Sequence, residues 1–126
     1  MARILVVEDD EGVRSFLVEA LALGRHEVAE AQSGEEAVLR LQQQDFDLMI
    51  TDLQMPGQGG MVLLEKARTR WPSMGALVLT AFGTPETALD AFKLGVHGFI
   101  RKPVESPEVL RHLVRRALIR AKLVGY

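Results

Sequence analysis

The chain has 126 residues, no cysteine, 48% hydrophobic and 25% charged side chains, and a formal net charge of −2. A single domain of this length hides roughly two-thirds of its unfolded surface, so it folds without a disulfide or metal staple. The composition is too apolar for disorder, and the missing cysteines exclude thiolate zinc sites, disulfide scaffolds and Cys nucleophiles.

Ile4–Val7 is a continuous apolar run, the pattern of a strand buried on both faces. Val13, Phe16, Leu17, Ala20 and Leu21 then recur at helical spacing, with Gly24 as a stop signal. Glu27–Ala31 predicts a weaker strand at a sheet edge. Ser33 with Glu36 three residues later has capping-box form and opens a helix to about Gln43. Leu48–Thr51 predicts the third strand. Pro56, Gly57, Gly59 and Gly60 make 53–60 a loop, after which a helix runs to about Arg70 and is closed by Pro72. Ala76–Thr80 predicts the fourth strand. Thr84-Pro85-Glu86 combines a cap, a proline at the first helical position and an early acid, and the fourth helix should end near Gly95. Gly98–Ile100 predicts a short fifth strand. Ser106-Pro107-Glu108 repeats the cap pattern for a last helix striped by Leu110, Leu113, Val114, Ala117, Leu118 and Ala121.

Five strand–helix units with no linker predict an α/β domain over 1–126, a five-stranded parallel sheet with helices on both faces. Right-handed crossovers favour the flavodoxin-like order 2-1-3-4-5, in which chemistry gathers at the carboxyl ends of the strands. No apolar run approaches the ~20 residues a membrane span needs. Arg3 is followed by four apolar residues and then acid, so no signal peptide, no membrane association and a cytoplasmic location are expected. Charge divides along the chain: 4 basic and 12 acidic residues in 1–60, 11 basic and 5 acidic in 61–126.

Glu8, Asp9, Asp10 and Glu11 follow the first strand, Asp52 the third, Thr80 and Ala81 the fourth, and Lys102 and Pro103 the fifth. Acids after a strand often cap the next helix, which is the reading for Asp10 and Glu11. Glu8, Asp9 and Asp52 should converge, and three carboxylates at close range repel unless a cation neutralises them. Oxygen-only donors select magnesium, manganese or calcium over zinc, and magnesium suits a few carboxylates with retained waters.

Val6-Val7-Glu8-Asp9-Asp10, Asp52-Leu53-Gln54-Met55-Pro56-Gly57, Leu79-Thr80-Ala81 and Phe99-Ile100-Arg101-Lys102-Pro103 together resemble the response-regulator receiver domain, the phospho-acceptor module of two-component signalling. The resemblance covers nearly the whole chain in order and spacing. It implies that Asp52 accepts a phosphoryl group from a phosphohistidine on a sensor histidine kinase or phosphotransfer protein. It implies Mg2+, with Mn2+ as the alternative, held by Asp9, Asp52 and the backbone carbonyl of Gln54, with Glu8 acting through metal-bound water. Lys102, Thr80 and the Ala81 N–H would contact the phosphoryl oxygens, and Phe99 would be the switch aromatic, a plain packing role being the simpler alternative. Gln54 and Phe82 would tune dephosphorylation: the Gln54 amide can orient a water, while the Phe82 ring crowds its approach. The Lys102–Pro103 peptide is expected to be cis on the same ground.

The output would be a changed surface of fourth helix, fifth strand and fifth helix, with phosphorylation-dependent homodimerisation through it. Residues 119–126 would begin a linker helix to an output domain. Such a chain is a signalling domain, not an enzyme acting on other substrates. An aspartyl-phosphate phosphatase of the haloacid-dehalogenase type is the rival reading, but it resembles Asp-x-Asp, and position 54 is Gln. Pro56–Gly60 lacks the following Lys-Ser/Thr of a P-loop. His26, His97 and His112 have no ligand spacing and read as packing or solvated residues. Arg111, Arg115, Arg116, Arg120 and Lys122 form a basic face without a nucleic-acid recognition module, so no direct nucleic-acid binding is expected.

Overall fold

The computed structural model describes residues 2–55, 59–81 and 85–124. Strands and helices alternate: β1 (Arg3–Val7), α1 (Glu11–Leu23), β2 (Glu27–Ala31), α2 (Gly34–Gln43), β3 (Leu48–Asp52), α3 (Gly60–Arg70), β4 (Gly75–Thr80), α4 (Pro85–Lys93), β5 (Phe99–Arg101) and α5 (Pro107–Val124). The sheet is parallel throughout, in the expected order β2-β1-β3-β4-β5.

Successive side chains on a strand point to opposite faces, and both faces are covered. Leu5, Val7, Met49, Ala76 and Val78 pack with Leu41, Leu63, Leu64, Ala67 and Ala91 from α2, α3 and α4. Ile4, Val6, Leu48, Ile50, Leu77, Leu79 and Ile100 pack with Leu17, Leu21, Leu110, Val114 and Ala117 from α1 and α5. This double burial is why β1 reads as an unbroken apolar run. β2, at the edge, exposes Glu27 and Glu30, and edge charges discourage pairing with another sheet.

The helix starts follow the predicted chemistry. Asp10 accepts the Val13 N–H at 3.0 Å and caps α1, the role expected of it. Ser33 accepts the Glu36 N–H at 3.1 Å, while Glu36 reaches back to the N–H of Gln32, one residue before the cap. Ser106 accepts the Val109 N–H at 3.2 Å at the start of α5. Thr84, the expected α4 cap, lies outside the described residues. Gly24 ends α1, but the left-handed residue is the next one, Arg25, with φ 66°. After α4 it is Gly95, with φ 82°.

At the opposite end of the sheet from the strand-end acids, Arg68 ties two loops together. Its Nε donates to Leu94 O at 3.1 Å, Nη2 to Pro72 O at 3.1 Å, and Nη1 to Met74 O. His97 makes a second clasp: its N–H donates to Ala76 O at 2.7 Å and its Nδ1 accepts the Ala76 N–H at 3.1 Å. His26 likewise accepts the Ala2 N–H at 3.1 Å. Both histidines therefore pack through backbone contacts, as expected.

Burial, with the charges of Arg68 and Arg120 behind it, lowers the His97 pKa from the usual 6.5. The unfolded chain thus binds more protons than the folded one below that value. The His97 contribution to stability is present above about pH 6.5 and is lost as pH falls through the depressed folded value. In urea unfolding of wild type and His97→Asn, whose amide oxygen can still accept the Ala76 N–H, wild type should lose more stability than the variant between pH 7.5 and pH 5. Parallel losses would show that His97 does not titrate with folding.

Candidate functional site

Parallel strands bring their carboxyl ends to one edge of the sheet. Val7 pairs with Thr51 across β1 and β3, so Glu8 and Asp52 stand side by side one step further on. Asp52 pairs with Leu79 and Thr80 with Arg101, which carries the edge across β4 to Lys102. The Lys102 N–H donates to Thr80 O at 3.0 Å, and the Lys102–Pro103 peptide is cis.

Carboxylate oxygens of Glu8, Asp9 and Asp52 lie within 4.8 Å of one another, the convergence expected from the sheet order. Glu8 is fully buried, Asp52 is 4% exposed, and Asp9 faces solvent. The Lys102 ammonium bridges the two buried acids, 3.1 Å from Glu8 Oε1, 3.0 Å from Oε2, and in contact with Asp52 Oδ2. The Gln54 N–H donates to Asp52 Oδ1 at 2.7 Å, so both oxygens of that carboxylate are held.

Burial pushes the Glu8 carboxyl up from 4.5 to about 7, the Asp52 carboxylate adding to the rise and Lys102 opposing it. Burial alone would lower the Lys102 pKa, but hydrogen bonds and charges from Asp52 and Glu8 outweigh it and raise it. Lys102 thus compensates the two buried acids incompletely, and Asp9 has no hydrogen bond or ion pair on its carboxylate among the described residues. An oxygen-only cluster with one acid open to solvent fits a hard divalent cation, and Glu8, Asp9 and Asp52 are the side chains that would hold it.

Thr80 Oγ1 is buried and has no hydrogen-bond partner among the described residues. Leaving a buried hydroxyl unpaired costs about 1–3 kcal/mol, so the position suits a group whose partner arrives from outside. Ala81 is exposed directly after β4, and Gln54 is exposed directly after Asp52 and Leu53. Phe99 lies on β5 with 36% of its surface exposed. Phe82 lies outside the described residues, as do Pro56 and Gly57 of the loop.

Two residues that support this edge escape a sequence reading. A Cβ at Gly60 would stand 1.8 Å from Asp52 O and 2.6 Å from Leu53 Cα, so the first turn of α3 rests directly on the Asp52 backbone and admits no side chain. The glycine-rich composition of 53–60 marks a loop but not this contact. Arg14 donates from Nη1 to Glu8 O at 2.9 Å, and nothing in the helical period of α1 sets it apart.

The sequence profile of the response regulator receiver domain matches residues 4–115. Response regulator protein FleR of Pseudomonas aeruginosa is 38% identical over 117 residues, covering 93% of this chain and 25% of FleR. Response regulator protein PilR of the same organism is 33% identical over 116 residues, covering 92% of this chain and 26% of PilR. The chain therefore spans about a quarter of the length of these relatives. A CheY-like response regulator receiver domain protein from Methanospirillum hungatei superposes with a TM-score of 0.92 at 27% identity, covering 99% of both chains. Agreement in sequence over most of its length and in fold over nearly all of it places the chain in the response regulator receiver domain family.

Proposed function

We propose that this receiver domain is a phospho-accepting switch in which Asp52 takes a phosphoryl group from a phosphohistidine on a sensor histidine kinase or phosphotransfer protein. The observation that carries the reading is the pairing of two features. A buried Asp52 carboxylate is aligned by Lys102 and the Gln54 N–H, and across the edge stands a buried Thr80 hydroxyl with no partner among the described residues.

An Asp52 oxygen attacks phosphorus; the P–O bond forms as the P–N bond breaks, and the imidazole leaves with the electron pair and takes a proton from water. Alignment and charge neutralisation dominate this chemistry. Lys102 moves from the carboxylate to a phosphoryl oxygen, as a compact ammonium can. Thr80 donates its hydroxyl, and the Ala81 N–H adds a second bond. Magnesium, or manganese in its place, supplies positive charge at the phosphoryl oxygens when held by Asp9, Asp52 and the Gln54 carbonyl, with Glu8 behind them. An apolar groove lined by Val13, Phe16, Pro103 and Val104 opens beside Lys102, and supports docking of the donor next to the acceptor.

Phosphorylation adds charge and strong acceptor oxygens at Asp52. Thr80 moves toward them, which frees space for the Phe99 ring, and the surface of α4, β5 and α5 changes with it. Leu89, Phe92 and Phe99 expose 52%, 68% and 36% of their surface there, which supports a contact face for a target or a second copy of the chain. Longer relatives support a receiver within a longer cytoplasmic regulator, with 119–126 as the start of a linker helix. The domain then acts on no substrate beyond its own phosphoryl group. No observation favours the haloacid-dehalogenase-type phosphatase, whose second acid is replaced by Gln54.

Incubated with acetyl phosphate and magnesium, the protein should gain one phosphoryl group by intact mass, and Asp52→Asn should gain none; one added group in the variant assigns the acceptor elsewhere. Asp9→Ala should lose magnesium binding and phosphorylation together while its urea midpoint holds or rises, because one member of a like-charge cluster is gone. Undiminished magnesium binding would place the cation away from these acids. Phe82 is expected to keep water from the acyl phosphate, so Phe82→Glu should speed dephosphorylation, by as much as orders of magnitude if orientation of the water is limiting. An unchanged or slower rate would refute the shielding.

A further inference from the structure

The Asp9 carboxylate is the exposed member of the acidic cluster, and among the described residues no hydrogen bond or ion pair holds it. Its place is therefore set by its backbone. The peptide joining Glu8 to Asp9 lies just past the end of β1. On one side the Glu8 N–H continues the sheet by donating to Ala31 O at 3.0 Å. Its carbonyl is beyond the ladder and accepts from Arg14 Nη1 at 2.9 Å instead.

Arg14 is itself held at three points. Its N–H donates to Asp10 O at 2.9 Å in the first turn of α1, and its Nε donates to Glu30 Oε1 on β2 at 3.1 Å. Its side chain is only 13% exposed, against 49% for Glu30. The guanidinium fork thus ties the backbone at the end of β1 to the Glu30 side chain on the neighbouring edge strand, while Arg14's own N–H fixes it in the first turn of α1. A fork with fixed donor directions can hold a carbonyl and a carboxylate at once, which a single flexible ammonium does far less well.

We propose that Arg14 is a positioning residue for the cation site: by fixing the Glu8 carbonyl against Glu30, it orients the Glu8–Asp9 peptide and so sets where the Asp9 carboxylate meets a divalent ion. The inference rests on the reading of Glu8, Asp9 and Asp52 as the cation-holding acids. It makes a prediction opposite in sign to simple electrostatics. A guanidinium on the Glu8 backbone beside the cluster repels an incoming cation, so its charge alone weakens binding and its removal should tighten it. If Arg14 positions Asp9, removal weakens binding. Groups that orient metal ligands without touching the metal commonly change affinity by about 10-fold or more.

Magnesium titration by calorimetry on wild type, Arg14→Met and Arg14→Lys, each with its urea midpoint measured, separates these readings. Arg14→Met should bind magnesium about 10-fold more weakly than wild type. Arg14→Lys keeps the charge but not the fork, and should also bind more weakly at a wild-type urea midpoint, a loss that neither charge nor overall stability would produce. It also decides the question if Arg14→Met fails to fold. Tighter or unchanged binding in Arg14→Met, or wild-type affinity in Arg14→Lys, overturns the positioning role. Wild type with no saturable magnesium binding would instead overturn the cation-site reading, and this inference with it.

Discussion

The reach of one lysine across one strand governs the functional edge of this domain. Lys102 follows β5, while the carboxylates it pairs with stand at the ends of β1 and β3. Neighbouring strands are about 4.8 Å apart, so β5 and β3 are separated by about 10 Å with β4 between them. The side chain must pass over the end of β4, and the residue there is Thr80, small enough to leave the path open. A bulky side chain at 80 would block Lys102 and leave Glu8 and Asp52 buried without a counter-charge. The parallel order β2-β1-β3-β4-β5, the small residue at 80 and the lysine after β5 are therefore one requirement expressed at three positions.

That edge is expensive to build, and the rest of the fold supports it. Removing one partner from a buried ion pair typically costs about 3–5 kcal/mol, and buried charges add little net stability even when paired. Glu8 keeps part of this conflict as a carboxyl pushed up to about 7. Thr80 adds a buried hydroxyl left unpaired among the described residues. Stability comes instead from the two apolar layers that sandwich the sheet, one under α2, α3 and α4 and the other under α1 and α5. Backbone clasps at the far end, through Arg68 and His97, fix the loops that lead into β4 and β5. The acids end β1 and β3 while the clasps hold the loops that enter β4 and β5 at the opposite edge of the sheet, so a rearrangement of the polar edge would leave the apolar layers in place.

The strand-end acids, Thr80 and Lys102 were legible because each is a polar residue ending an apolar run, and the order of runs dictates which ends are neighbours. Strand boundaries came within a residue for the same reason: β3 takes in Asp52, and β5 runs Phe99–Arg101 rather than starting at Gly98, while α4 ends at Lys93, two residues before the expected Gly95. Arg14, Gly60, Arg68 and His97 were not legible. Their roles are contacts between a side chain, or the space where one would be, and a backbone group far away in sequence. Such contacts leave no period and no spacing. The C-terminus of α1 shows the same limit, since Gly24 marks the stop correctly while the left-handed conformation falls on Arg25.

The charge count at the edge connects the cation to the switch. Three carboxylates against one ammonium leave the site with two formal negative charges, reduced in part by the proton Glu8 retains near neutral pH. An acyl phosphate on Asp52 removes that carboxylate's charge and brings about −1.5 to −2 in its place. Without further positive charge the site would become more negative in a partly buried setting, where like charges repel more strongly than in water. Arg14 offsets little of this, because its charge is already paired with Glu30. A divalent ion held by Glu8, Asp9 and Asp52 would bring the site close to neutrality both before and after such a transfer. Lys102 could then turn from Asp52 toward the phosphoryl group, and the Thr80 hydroxyl could donate to it. The same imbalance that makes the resting edge costly is what would make phosphorylation, as proposed, depend on a cation and give Thr80 a reason to move.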